Sequence, residues 1–557
     1  MQRLIALLRG QNIAPIDDVC VPGALHSDAF GVATQGRRGT LKGSVFVKVP
    51  VLQRSTRSVG AGFKPAPTMC HGRQICPAGT RNSIVPRHVP LLALIGFIAL
   101  LPGCQTFSAD GGMDVVTAIA GRELKKDVVA MRDPRDAEAA RAKVAALLRR
   151  PLTADSAVQM ALLNNRGLQA AYNELGLAET MLVQSSLPPN PTFSVSYLSG
   201  SAELEIEKRI VASILALATL PVRSEIAADR FHQAQLRAAE ETLRLAAETR
   251  RAYYRAVAGI ELANFLTQAK SGAETASELA KRLGESGALN KLDQSREHLF
   301  YAEITAQLAS ARQRAAGERE RLVRQLGLWD LEFKLPEALP ALPGQAKTLA
   351  AIEKDAVRRR VDLKIARIEI AALAKTYGLT NATRFVNLFE VGGATRTTKD
   401  KIAGTTIRDR GFDIELQIPI FDGGEARVRQ AELAYQQSVN LLLERAVNVR
   451  SEARSAYRAY RSTYDLAAHY RGEILPLRKI VSEETLLRYN AMQIDVFMLL
   501  AEARQRISTG SMAIEAQRDF WLAGTDLDTA VVGGGVAGGM SEGTRTTVSG
   551  AAETGGH

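Results

Sequence analysis

Residues able to do chemistry are sparse in this chain and are nowhere gathered by spacing. His232, His298 and His469 are the only histidines in its body, too far apart in sequence to suggest a metal-ligand set. No His-Glu-x-x-His, phosphate-loop or nucleophile-elbow pattern occurs. Gly533-Gly-Gly535-Val-Ala-Gly538 fits Gly-x-Gly-x-x-Gly, but it opens the last 25 residues and leaves no room for the βαβ unit that dinucleotide binding needs. Residues 530–557 read instead as a flexible, glycine-rich tail. Met492 and Met498 are soft donors of the kind copper prefers, yet methionine at helical spacing more often fills a packing seam. These patterns predict no enzyme, no metal site and no cofactor. Cys104 is the one cysteine after residue 76, so no disulfide framework or Cys-based metal site can form beyond it. It follows thirteen mostly apolar residues, 89–101, with Arg81, Arg87 and His88 ahead of them. That is the layout of a secretory signal. Thirteen residues fall short of the ~20 that a membrane-spanning helix needs.

Leu101-Pro-Gly-Cys104 resembles a bacterial lipoprotein cleavage box. The resemblance implies a signal over 85–103 and a covalent lipid on Cys104, which becomes the first mature residue. Signal peptides run ~15–30 residues, so 1–84 reads as a non-native or mis-assigned extension, with the true start nearer Met69 or Val85. A folded N-terminal domain is the alternative, and the Gly-, Pro- and Arg-rich run 36–67 argues against it. Residues 1–103 hold twelve Lys/Arg against three Asp/Glu, a net +9 of the chain's +12, so little positive charge is left for the body. Nucleic acid is therefore not an expected partner.

Beyond the cysteine, 104–150 reads as a polar, lipid-anchored tether followed by a helix over 134–149, with Ala139, Ala140, Val144, Leu147 and Leu148 on one side. The chain then repeats itself, with a first copy over 151–335, a proline-rich linker over 336–348 and a second copy over 349–529. Leu168 and Leu363, Ala171 and Ala366, and Glu174 and Glu369 match, each pair 195 apart. Thr153 or Asp155 is placed to cap the first helix. Pro188-Pro-Asn-Pro191 stops it, and 192–198 alternates like a strand. The first copy's strands should occupy about 190–220, although 210–218 is apolar on both faces and hides where the second one ends. In the second copy the strands should occupy about 384–420. There Phe412, Ile414, Leu416, Ile418 and Ile420 share one face and mostly polar residues the other, which suits lipid outside and water inside.

Long helices should follow each hairpin, over 225–326 and over 425–522. Within 225–283, positions 236, 239, 243, 246, 250, 253, 257 and 260 keep coiled-coil spacing, broken once by Arg250. Fifty-nine residues at ~1.5 Å each make a rod of ~90 Å, too long for the inside of a globular domain. Gly284-Glu-Ser-Gly287 and Tyr489-Asn490 mark the reversals, and Pro476 should bend the second descending helix.

This order of parts resembles the TolC-like outer-membrane efflux proteins over roughly 151–530. Pro188-Pro-Asn-Pro191, Ile418-Pro-Ile-Phe-Asp-Gly-Gly-Glu-Ala-Arg427, Arg488-Tyr-Asn490 and Phe520-Trp-Leu-Ala523 carry the likeness. The wording of 227–257 is similar to members serving resistance-nodulation-division exporters. The resemblance implies a mainly α fold with a membrane β-barrel part: a homotrimer, lipid-anchored in the outer membrane, whose three four-strand contributions close one twelve-stranded barrel on a helical tube. It implies passive conduction of drugs or metal ions from a periplasmic adaptor and an inner-membrane exporter. It places adaptor docking and the pore entrance at the helix reversals, around Gly287, Asn290, Asp293, Asn490, Gln493 and Asp495. Asp293 matches a family entrance carboxylate by position, whereas the second copy has Met498 and Ala501 where some relatives have acids. Two other readings share much of this pattern: a periplasmic coiled-coil lipoprotein without a pore, and an exit duct for type I protein secretion.

Overall fold

A computed structural model describes residues 107–329, 332–348 and 350–534. Cys104, its apolar run, the 1–84 extension and the tail beyond 534 lie outside the described residues. Chain order is α1 (Asp114–Glu123), α2 (Pro134–Leu148), α3 (Ala154–Asn164), α4 (Arg166–Ser186), β1 (Thr192–Ser199), β2 (Glu203–Ser213), α5 (Ile214–Glu285) and α6 (Lys291–Leu326). Then come α7 (Ile352–Arg359), α8 (Val361–Ala382), β3 (Leu388–Asp400), β4 (Thr406–Gln417), α9 (Glu425–His469), α10 (Leu475–Asn490) and α11 (Val496–Val532). Two helices, two strands and a long helical hairpin thus occur twice. Among the described residues, no helix is long and apolar enough to cross a membrane.

Local chemistry sets the early boundaries. Thr153 caps α3 in a reciprocal box with Ser156, and Asn165 caps α4 by accepting from the Leu168 N–H. The prolines at 188, 189 and 191 end α4 and deliver the chain extended into β1. No turn residue separates β2 from α5. The strand ends at Ser213 and the helix begins at once, eleven residues before the expected start and with Pro221 inside it. This explains the run apolar on both faces: its first residues are strand and its last are helix. At 72 residues, α5 is a rod of ~108 Å. Along its seam Leu236, Ala239, Leu243, Ala246, Tyr253 and Val257 are buried. Gly259 proves to be a packing residue, since a Cβ there would lie 3.1 Å from Ala315 Cα on α6.

The stretch read as a polar tether is docked on the body. Helix α1 within it buries Val116, Ile119 and Ala120. Three side chains strap the backbone beside it: Glu179 Oε1 accepts from the Ser108 N–H at 2.6 Å, Gln169 Oε1 from Met131 N–H at 2.9 Å, and Gln159 Oε1 from Asp127 N–H at 3.1 Å. A polar strand of chain held by one carboxylate and two side-chain amides leaves no hydrophobic period to read in sequence. On α2, Ala140 and Val144 are buried as expected, while Ala139 faces solvent.

The expected bend falls at Pro476, where α9 gives way to a single π-helical turn over Tyr470–Ile474 before α10. A proline lacks the N–H for the helical ladder and its ring crowds the preceding turn, and widening that turn makes room for it. Helix α11 continues to Val532, ten residues past its expected end and into the segment read as tail. Two apolar clusters hold the helices: one around α1, α3, α4, α5 and α6, the other around α7, α8, α9 and α11. Trp521 packs on both and stacks on Tyr254 at 5.2 Å. The proline linker is pinned across them, with Pro340 O accepting from Gln517 Nε2 and Trp521 Nε1, and Glu261 from the Leu339 N–H.

Candidate functional site

Two regions are candidates, the sheet and the paired helix reversals. The strands form one antiparallel sheet in the order β1-β2-β3-β4, so β1 and β4 are open edges. Directly opposed residues in an antiparallel pair share a face, and the register therefore sorts every side chain. One face carries Phe193, Val195 and Tyr197 of β1, Ile206 and Ile210 of β2, Phe389 and Val391 of β3, and Phe412, Ile414 and Leu416 of β4. It has no carboxylate. The other face carries Glu203, Glu205, Glu207, Glu390, Asp400, Asp409, Asp413 and Glu415 with only Arg209 and Arg396 to oppose them.

Both arginines are committed. Arg396 pairs with Glu205 at 2.7 Å and Glu207 at 3.5 Å. Arg209 reaches from β2 across β3 to Asp413 on β4. That crossing needs Gly392 beneath it, because a Cβ there would meet Asp413 Oδ1 at 2.6 Å. A surplus of six carboxylates remains: Asp400 accepts from the Ile402 and Ala403 N–H groups of its own turn, while Glu203, Glu390, Asp409 and Glu415 have no protein partner among the described residues and are left to water or a cationic solute.

The apolar stretch is oblique. It covers residues 193–197 on β1, whose register partners on β4 are 408–412, but on β4 it covers 412–416, four residues nearer the helices. At ~3.4 Å per residue that drop is ~14 Å, spread over three inter-strand steps of ~4.8 Å. The slope of about 45° is that of strands tilted through a bilayer. Ile418, Ile420 and Phe421 continue the exposed apolar series toward the helices, and Phe421 is 99% exposed. The β4-to-α9 corner turns on Gly424, at φ +73° with Arg384 O where a Cβ would sit.

At the far end of the helices, Gly287 (φ +74°) reverses α5 into α6. Asn290 Oδ1 accepts from the Asp293 N–H at 2.8 Å, and Arg296 holds the Asp293 carboxylate at 2.9 Å. In the second reversal, Asn490 ends α10, Met492 (φ +57°) turns the chain, Gln493 N–H donates to Arg488 O at 2.9 Å, and Asp495 caps α11 through the Met498 N–H at 2.9 Å. Asp495 is thus a cap. Met492 and Met498 do not pack in a seam of this chain: they are 93% and 59% exposed.

No pattern in the sequence marks what joins the two reversals. Glu297 on α6, 3% exposed, accepts from Arg504 Nη2 on α11 at 2.8 Å, and the guanidinium lies 4.7 Å from the centre of the Phe300 ring. Arg478 on α10 pairs with Glu502 on α11 at 3.0 Å. Among the described residues, no group of three or more His, Cys, Asp or Glu is arranged to hold a metal.

No protein-family model and no curated protein matches the chain. Solved structures do match it. The chain is similar to CusC (TM-score 0.57, 17% identity, over 68% of this chain and 92% of that one), a structure described in terms of folding and transmembrane channel formation. It is similar to the CmeC outer membrane channel of Campylobacter jejuni (0.59, 14%, 68% and 86%) and to the outer-membrane channel OprN (0.57, 16%, 78% and 97%). Over most of its length the chain has the TolC-like fold of these channels.

Proposed function

We propose that this protein is the outer-membrane exit channel of a tripartite efflux system. The observation that carries this reading is the two-faced sheet: apolar and free of carboxylates on one side, strongly acidic on the other, with both edges open. Lipid tolerates only structures whose backbone groups are all paired. Four strands cannot close by themselves, and three copies joined β4 to β1 make a twelve-stranded barrel with the acidic face inward. A coiled-coil lipoprotein without a pore has no use for such a sheet.

In this reading Cys104 carries the lipid anchor and the helical hairpins project into the periplasm. Gly287, Asn290, Asp293, Asn490, Gln493 and Asp495 lie at their tips, where a periplasmic adaptor would dock and hand over solute from an inner-membrane exporter. The acidic lumen favours cationic solutes, whether metal ions or drugs, by the logic of charged rings in pores. The test is reversal potential across a planar bilayer holding the purified protein under a salt gradient. Stepwise, cation-preferring conductance is expected, with the preference reduced in a Glu203→Gln/Glu415→Gln variant. Absence of steps at any protein density overturns the channel.

A further inference from the structure

The outward face of the same sheet carries charge that conduction does not use. On β3 and β4 the residues beyond the apolar stretch, on the side of the strand turns, include Lys399, Arg408 and Arg410, while Lys208 of β2 lies within the stretch between Ile206 and Ile210. All four are exposed, and none has an ion-pair or hydrogen-bonding partner among the described residues. The contrast with the inward face is sharp, since both of its arginines are paired with carboxylates. Register places the group together. Arg408 and Arg410 are ~7 Å apart along one strand, Lys399 is a diagonal neighbour of Arg408 at ~7–8 Å, and Lys208 shares a row with Arg410 across β3. Thr395, Thr397 and Thr406 fill the positions between them with hydroxyl donors.

We infer that this outward cluster binds the phosphorylated head groups of outer-leaflet lipid. The inference rests on the channel reading, which sets the apolar stretch in the bilayer and the strand turns outside. Cations immediately above a lipid-facing apolar stretch lie at head-group depth. There arginine offers paired N–H donors to phosphate oxygens, and the long Lys208 stem lifts its ammonium to the same level. A face with four cations and no carboxylate is complementary to a polyanion and to nothing neutral. The chain would therefore carry its own ring of anchoring phosphates, repeated around the barrel.

The experiment is native mass spectrometry of the detergent-extracted protein titrated with bisphosphorylated lipid A and, in parallel, with fully dephosphorylated lipid A. The phosphorylated form should be retained at least tenfold better. Each cation removed should cost about fivefold, from ~1 kcal/mol per basic residue at a charged lipid surface. A Lys399→Gln/Arg408→Gln/Arg410→Gln variant should thus lose nearly all of the preference. Equal retention of the two lipids by a trimer, or a preference that survives in the triple variant, overturns the inference and leaves the channel standing. Absence of any trimer in the same spectra overturns the channel reading and this inference with it. The two-lipid comparison on the unsubstituted protein needs no variant to fold.

Discussion

The two helix reversals are the same backbone built from different residues. In the first, the N–H groups of Ser286, Gly287 and Ala288 donate to Arg282, Gly284 and Leu283; in the second, those of Ala491, Met492 and Gln493 donate to Leu487, Tyr489 and Arg488. The middle donor of each, Gly287 or Met492, is the left-handed residue, and an Asn or Asp cap stands three positions on. The geometry is the cheapest way to close one helix and open the next. What differs is who occupies it: Gly287, Asn290 and Asp293 in the first, Met492, Asp495 and Met498 in the second. Glycine takes the left-handed region freely, whereas a methionine held there is strained and here also fully in solvent. One reversal turns on a relaxed glycine, the other on a strained and exposed methionine. Three-fold repetition of a tip with two such unlike turns would give an adaptor two distinct kinds of contact.

The largest effect should come from cutting the tie between them. Arg504→Ala leaves the buried Glu297 carboxylate without its partner, and with Arg504 itself over a third exposed the loss should be about 2 kcal/mol. It should appear as faster amide exchange in both reversals together and as larger single-channel conductance. Exchange that rises in one reversal only would show that they are not coupled through this pair. Next come the caps. Asn290→Ala and Asp495→Ala should each cost about 1 kcal/mol in thermal or denaturant unfolding, and only the first should also free Asp293 from its place beside the cap.

Smaller still, exchanging the turning residues should act with opposite signs. Gly287→Ala should destabilise by ~1 kcal/mol, while Met492→Gly should be neutral or stabilising by a few tenths. Loss of stability in both variants would refute the claim that Met492 is strained. The smallest effect lies away from the tips. Burial, then the nearby Asp362 charge, pushes the Glu240 carboxyl above its usual range. At low pH it is protonated folded or unfolded. As pH rises, the unfolded chain ionises first, so this group's contribution to stability is lost toward neutral pH. Glu240→Gln should therefore raise the unfolding temperature at pH 7 and leave it nearly unchanged at pH 4, with amide exchange in both reversals unaltered.

Sequence made part of this legible for clear reasons. The heptad spacing along α5, the prolines after α4 and the cap candidate Thr153 are local signals, and each element they mark is present. The alternation on β4 was equally plain. Less was visible where tertiary structure decides. The surplus of carboxylates depends on register between β2, β3 and β4, and Glu203, Glu205 and Glu207 precede a run whose second half is helix. The strap over 107–132 is held by a carboxylate and two amides on distant helices. The Glu297–Arg504 tie joins residues of different hairpins, and neither partner stands out among the many charges of its helix. The conformation of Met492 is imposed by its position in the reversal and contradicts its own preference.

The central claim is that three copies close one barrel, and the most direct measurement is the mass of the protein extracted from outer membranes in mild detergent. The account predicts a trimer that persists across several detergents. A stable monomer or dimer would leave both sheet edges open in lipid and contradict it.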